Sequence, residues 1–398
     1  MDKIEITLNK ITKTYSVIPD PLPHILVQSH KLLHGWWQGK RECTAERLLI
    51  NPYNGCSHNC FMCYTSAFNW GFFELYHKKK IITVCENFDK IIANQLNSLF
   101  IVSAGYLSPV TDPFQPINQK YCLSEKIINE FTSRNIPIEF ITKNIIPSSV
   151  ISMIKKQKHS FGQISILTLK EDLHKFLCPG AASVKDLLNN LKILSKENIH
   201  SVCRIDPIIP YITDNKNDLK ELINISIVFG TKHIIASCLD IPLSVQKKTM
   251  SFLSNFGWGV VYDYGKLYNE TIDLHLHAQL DYRRKIFSFL REECDKKNIT
   301  FALCMEFKIK NNNPIGLNKE FMSSINCEGI NIPIYAKDGD KFKPIAPCNG
   351  SCLVCKKPIC GIEELALGKT KNKKKGWKLS DYRKWSKNFI QPTLKEIK

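Results

Sequence analysis

The stretch Asn51-Pro-Tyr-Asn-Gly-Cys56-Ser-His-Asn-Cys60-Phe-Met-Cys63-Tyr64 decides the reading of this chain. Its cysteines follow the spacing C-x3-C-x2-C. It comes directly after a short apolar run, Leu48-Leu49-Ile50, which reads as a strand. Three thiolates on one tight loop can ligate three irons of a cubane and leave the fourth iron open to another ligand. A structural zinc site would want a fourth donor, and His58 is the only one nearby.

Working outward, five more apolar runs follow, at residues 98–103, 137–142, 163–169, 200–205 and 233–237. Between them, residues 87–96 and 184–194 space their apolar side chains as a helix does. Strands alternating with helices imply a parallel sheet. The expected fold is α/β, a partial (β/α)6 TIM-like barrel with a C-terminal Cys-rich extension. In such barrels chemistry gathers at the C-terminal ends of the strands. The expected division is an N-terminal extension (1–46), the partial barrel (47–240), a helical extension with a possible seventh strand at 300–304 (241–310), a Cys-rich segment (311–368) and a basic aromatic tail (369–398). Helices are expected at 244–256 and 282–296.

The cluster loop resembles that of the radical S-adenosylmethionine (SAM) superfamily, in the branch that includes spore photoproduct lyase. Four later segments agree in order. Ser108-Pro-Val-Thr-Asp112-Pro-Phe-Gln-Pro116 is similar to the branch's S-x-x-T-D-P-Y-Q-P segment. Thr142-Lys143 matches a T-K pair at a strand end. Ser165-Ile-Leu-Thr168 is close to S-x-T-T, and Arg204-Ile-Asp-Pro-Ile-Ile-Pro210 resembles a P-x-x-P segment. The resemblance spans residues 47–240. It implies a [4Fe–4S] cluster on Cys56, Cys60 and Cys63, with SAM chelated to the open iron. It implies reductive cleavage of SAM to methionine and a 5′-deoxyadenosyl radical, and a reductant such as flavodoxin or ferredoxin. Ser108, Thr111, Asp112, Lys143, Ser165, Thr168 and Arg204 are the implied SAM contacts. The chain departs from the pattern in three places. Met62 replaces a frequent aromatic, Cys178-Pro179 stands where Glu-Pro is usual, and Val110 stands where photoproduct lyases carry a hydrogen-donating Cys. The last departure points to a relative with a different substrate.

Cys348, Cys352, Cys355 and Cys360 offer four thiolates in one loop. They suit a second [4Fe–4S] cluster or a structural zinc, and Cys304 and Cys327 are candidates to replace one or two of them. Cys43, Cys85, Cys122, Cys178, Cys203, Cys238 and Cys294 read as small buried apolar residues. His275 and His277 alternate as in a strand and read as structural.

The net charge is +18, which favours a polyanionic partner. Residues 369–398 carry eleven Lys or Arg against Asp381 and Glu396, a surplus of nine. Trp377, Tyr382 and Trp385 interleave with them, a pattern that suits phosphates and bases or, alternatively, a solvated helix whose Trp residues pack on the barrel. No apolar run is long enough to span a membrane, and sixteen cysteines without a secretory leader favour a reducing, cytoplasmic setting. The expected function is radical modification or repair of a substrate, with nucleic acid leading. A peptide or small-molecule maturase is the first alternative, and a non-catalytic metal-containing nucleic-acid-binding protein is the second.

Overall fold

The computed structural model describes residues 2–8, 10–35, 47–352, 354–364 and 377–388. At its centre lies a seven-stranded sheet, numbered here along the chain: β1 (Arg47–Ile50), β2 (Ala104–Leu107), β3 (Ile138–Thr142), β4 (Phe161–Ser165), β5 (Ser201–Ile208), β6 (His233–Cys238) and β7 (Thr300–Leu303). The spatial order repeats the sequence order, and every pairing is parallel. This is the partial barrel expected from the sequence. The run at 300–304 supplies its seventh strand.

The parallel sheet explains why the strands read as near-continuous apolar runs. Helices cover the outside, so the outward faces are buried as well. Helix Val184–Lys196 buries Val184, Leu187, Leu188, Leu191 and Leu194 on one stripe. Ser183 caps it, accepting from the Asp186 N–H, which supplies one of the partners a helix start lacks.

One strand falls elsewhere than expected. The run at 98–103 does not enter the central sheet. Its Ile101–Val102 pairs antiparallel with Tyr335–Asp338, and the sheet strand is the following Ala104–Leu107. The reason is packing. A Cβ on Gly105 would sit 2.7 Å from the Phe131 ring, so the position facing that helix must be small. Ala104 and Gly105, which open the strand, carry little β-propensity of their own.

The extension does not lie beside the catalytic end of the barrel. It closes the opposite pole, where the strands begin. Glu328 ion-pairs with Arg47, the first residue of β1. His200, just before β5, contacts Glu328 O at 2.9 Å. His233, the first residue of β6, contacts Cys327 O at 3.0 Å through Nε2. Asn135 donates to Phe342 O (2.8 Å), and Tyr335 meets Gln157 (2.9 Å) and His159 (2.6 Å), all ahead of β3 or β4. Cys352 lies close enough to Cys348, Cys355, Cys360 and Arg47 to feel their charges. Helix Leu379–Asn388 packs on Ile101–Val102 at the same pole.

Where it is described, the tail follows the packed-helix reading. Most of residues 369–398 lies outside the described residues, as does the Trp385 side chain. Trp377 and Tyr382 are buried against the core and are not free to stack on bases.

Candidate active site

Each motif of the barrel segment sits at the C-terminal ends of the strands. The cluster loop follows β1, Asp112 follows β2 and Lys143 follows β3. Ser165 ends β4, and Arg204 lies in β5. Together they form one mouth.

Three neighbours clamp the cluster loop. Gln115 donates to Gly55 O (3.0 Å) and accepts from the Ser57 N–H (3.1 Å). The Tyr76 hydroxyl donates to Cys56 O and lies 3.0 Å from the Asn59 side-chain amide. The segment after β4 supplies the third clamp: Gly180 N–H donates to His58 O (3.0 Å) and Phe61 N–H to Leu177 O (3.4 Å). A Cβ on Gly180 would fall 2.4 Å from Ser57 O, so only glycine allows this approach.

Asp112 is the hub. Its carboxylate accepts from the Phe114 N–H (2.9 Å), the Lys143 N–H (2.7 Å) and the Thr142 hydroxyl (2.9 Å). His58 Nε2 lies 3.1 Å from it. Burial alone would raise this carboxyl, but His58 and the two N–H donors hold it below its ordinary value. The sequence suggested Asp112 as a SAM contact. The structure gives it four protein partners, which tie β2, β3 and the cluster loop together.

The other suggested contacts divide. Ser108 Oγ and Thr111 Oγ1 are buried without a partner, as groups awaiting a ligand would be. Lys143 Nζ donates to Ser165 Oγ (2.7 Å) and lies near Cys60 and Cys178. Thr168 accepts from the Lys170 N–H (3.2 Å), a turn within its own loop. Arg204 is engaged by Gln163 Oε1 (2.9 Å) and by Asp206, whose other oxygen accepts from Ser237. That pairing continues down the barrel, since Gln163 donates to Glu139 (2.9 Å) and Arg47 to the same carboxylate (2.8 Å). The sequence reading missed this buried polar column. Glu139 and Gln163 lie in apolar runs and carry no motif.

Burial pushes the Cys56 and Cys63 thiols up, and a hydrogen bond with Cys178 followed by burial does the same for Cys60. Such thiols lose their protons when a cation replaces them, so the donor set suits metal ligation. Among the described residues, no three His, Cys, Asp or Glu side chains converge on one point as the ligands of a single ion do. Ligands on separate irons of a cubane need no such convergence. Three half-buried thiols on a clamped loop, beside orphaned hydroxyls, fit a cluster and its SAM.

Three residues need revision, the first being Cys122, which the sequence suggests is buried and which is exposed. Cys178, read as a buried apolar residue, stands against Cys60. Its place in the departure from Glu-Pro was the available signal. Cys304, a suggested substitute ligand for the Cys-rich loop, follows β7 at the mouth, near Arg204, Tyr64 and Tyr106. It lies at the wrong pole for that role. His275 pairs with Asp240 (2.6 Å) and His277 is buried.

The radical SAM superfamily profile matches residues 50–224, the span that carries these motifs. The chain carries a radical SAM domain. It is an enzyme of the radical SAM class, and the class works with a [4Fe–4S] cluster, SAM and a reductant. A radical SAM Nalpha-GlyT isomerase of Pseudomonas phage M6 is 27% identical over 374 residues, covering 87% of this chain and 77% of that one. An uncharacterised protein of Methanocaldococcus jannaschii is 26% identical over 172 residues, covering 42% of this chain and 62% of that one. Among solved structures, a spore photoproduct lyase mutant superposes with a TM-score of 0.54 at 13% identity, covering 69% of this chain and 79% of that one. Another, with bound AdoMet and dinucleoside spore photoproduct, gives 0.52 with the same coverage and identity. These two share the fold. Among the described residues no helix is long and apolar enough to cross a membrane.

Proposed function

We propose that this radical SAM enzyme is an isomerase acting on a nucleic-acid substrate, with Cys56, Cys60 and Cys63 as cluster ligands. Its fourteen percent of basic residues, 55 Lys and Arg against 37 Asp and Glu, favours a polyanion. The observation that carries the isomerase reading is the likeness to a named isomerase across the barrel and the extension alike.

When bound, the cluster and SAM supply one-electron cleavage to a 5′-deoxyadenosyl radical. The chain's own residues position and shield. Asp112, Gln115 and Gly180 fix the cluster loop. Ser108 and Thr111 offer hydroxyls to SAM, and Lys143 beside Ser165 offers a cation to its carboxylate. The Arg204–Asp206–Ser237 triad holds the floor of the mouth rigid and charge-paired. An isomerase of this kind would pass one substrate hydrogen to 5′-deoxyadenosine and take one back from a thiol that the reductant's electron and a solvent proton restore, so the substrate keeps its composition while 5′-deoxyadenosine accumulates. Flavodoxin or ferredoxin is the proposed reductant, and the cytoplasm the setting.

The peptide-maturase alternative drew on an auxiliary cluster that positions substrate. The Cys-rich loop lies at the opposite pole, so it does not reach a substrate at the mouth. We assign its four cysteines to a second cluster that holds the fold. The test is 5′-deoxyadenosine formation with and without a nucleic-acid pool. Stimulation by the pool, with product of unchanged mass, supports the reading. Stimulation by peptides alone overturns it.

A further inference from the structure

The sequence places its largest charge surplus in the tail, yet the described part of that tail sits at the pole away from the chemistry. A second basic surface lies at the mouth itself. It is built by helix Gly71–Lys79, directly after the cluster loop, and helix Gln246–Leu253, after β6. Residues 71–80 and 243–253 carry five lysines, Lys78, Lys79, Lys80, Lys247 and Lys248, against a single carboxylate, Glu74. All five lysines are exposed. Lys78 engages Glu74 at 2.5 Å, and among the described residues the other four form no ion pair.

Each of the two helices is joined to the site. Tyr76 of the first reaches Cys56 O, and the Lys80 ammonium stands 5.0 Å from the Tyr76 ring centroid. Phe252 of the second stacks on Phe61 of the cluster loop, with centroids 4.0 Å apart and planes 5° from parallel. Lys80 lies close enough to Lys248 to feel its like charge, and His77 feels both. Burial and then this repulsion hold Lys80 below its ordinary value. Uncompensated like charges at close range destabilise a surface unless an anion sits between them.

Aromatic rings extend the same rim. Tyr64, next to Cys63, meets Phe68 edge-on at 5.8 Å, and Phe68 stacks with Trp70 at 5.6 Å. Phe73 supports Trp70 from the side at 5.2 Å. Trp70 nonetheless remains 61% exposed and Tyr64 44%. An indole held by two rings with its outer surface open is a pre-ordered stacking platform, so little ordering is lost on binding.

We propose that this rim holds an unpaired nucleic-acid strand beside the mouth, with Lys79, Lys80, Lys247 and Lys248 on its phosphates and Trp70 under a base. The inference rests on the nucleic-acid reading above. An unpaired strand is the occupant because the aromatic row needs exposed base faces. A reaction centre at a barrel mouth also reaches only a base that has left the stack. Four phosphate contacts to a single strand give a salt slope of about −2.8, so affinity falls about 50-fold between 50 and 200 mM salt.

The experiment is fluorescence anisotropy on the full-length protein with labelled mixed-sequence 20-mers: unpaired DNA, unpaired RNA and duplex DNA. Replacing all four lysines by Ala is expected to flatten the salt slope by about 3, whereas replacing them by Arg keeps it. Trp70→Ala is expected to weaken binding about 5- to 100-fold. Iron content and melting temperature show whether each variant remains folded. Wild-type salt slope in the Ala variant overturns the inference, as does preference for duplex over both unpaired strands. If nucleic acid still stimulates deoxyadenosine formation while the rim variants bind normally, the rim falls and the proposed function stands. If no nucleic acid binds or stimulates, both fall.

Discussion

The molecule carries two cysteine-rich loops at opposite poles of one barrel, and their surroundings differ. Cys56, Cys60 and Cys63 sit where the strands end, among orphaned hydroxyls, a lysine and a buried carboxylate hub. Cys352 and Cys360 are buried where the strands begin, near Arg47 and beside chain that packs on the core. The first loop is held in place by other elements. The second belongs to the segment that seals the barrel. On the proposed reading, location separates a reactive site from a structural one that has the same donor atoms.

The comparison breaks most visibly on the cysteines themselves. Cys56→Ala, Cys60→Ala or Cys63→Ala is expected to abolish 5′-deoxyadenosine formation while leaving the melting temperature within a few degrees. Cys352→Ala is expected to lower the melting temperature, with deoxyadenosine still formed at temperatures where the variant is folded. A folded Cys352→Ala protein that no longer cleaves SAM would place the second loop in the chemistry.

The next largest effect concerns the floor between the poles. Arg47→Ala leaves Glu139 and Glu328 buried without their cation, which costs about 3–5 kcal/mol in a urea melt. A loss under 1 kcal/mol would show that the polar column does not anchor the extension.

At the mouth, Asp112→Asn keeps the shape but weakens four contacts to the cluster loop and strand ends. The expected loss of deoxyadenosine formation is about 10- to 100-fold, with reduced iron content, as for groups that orient metal ligands. Unchanged iron content together with a raised SAM requirement would assign Asp112 to SAM binding instead.

The smallest effect is at the opposite pole. Burial pushes His233 down to about 3. The unfolded chain binds this proton below about 6.5, so stability contributed by the neutral ring is lost as pH falls from 6.5 toward 3. The loss is about 2 kcal/mol at pH 5. Urea melts at pH 7.5 and 5.0 are expected to differ by that much less in His233→Asn. An equal pH dependence in the variant would show that another group governs acid stability.

The barrel was legible because its strands are buried on both faces and therefore apolar throughout. The run at 98–103 misled for the same reason: its apolar residues serve a different sheet, and the true strand is disguised by Gly105. The cluster loop was legible because its spacing is local. The motifs named Asp112, Ser165, Arg204 and the Thr142-Lys143 pair that meets the first two, but not how His58, Gln163 and Ser237 join them. His58, Gln163 and Ser237 are ordinary polar residues until the fold brings them together across long separations. The position of the Cys-rich loop was invisible, since spacing names donors and says nothing of which pole they face.

The most direct test of the central claim is 5′-deoxyadenosine formation by anaerobically reconstituted protein given SAM and dithionite. The account predicts product from the wild type and none when Cys56, Cys60 and Cys63 are all Ala. Wild-type protein that holds a [4Fe–4S] cluster and yields no 5′-deoxyadenosine would contradict it.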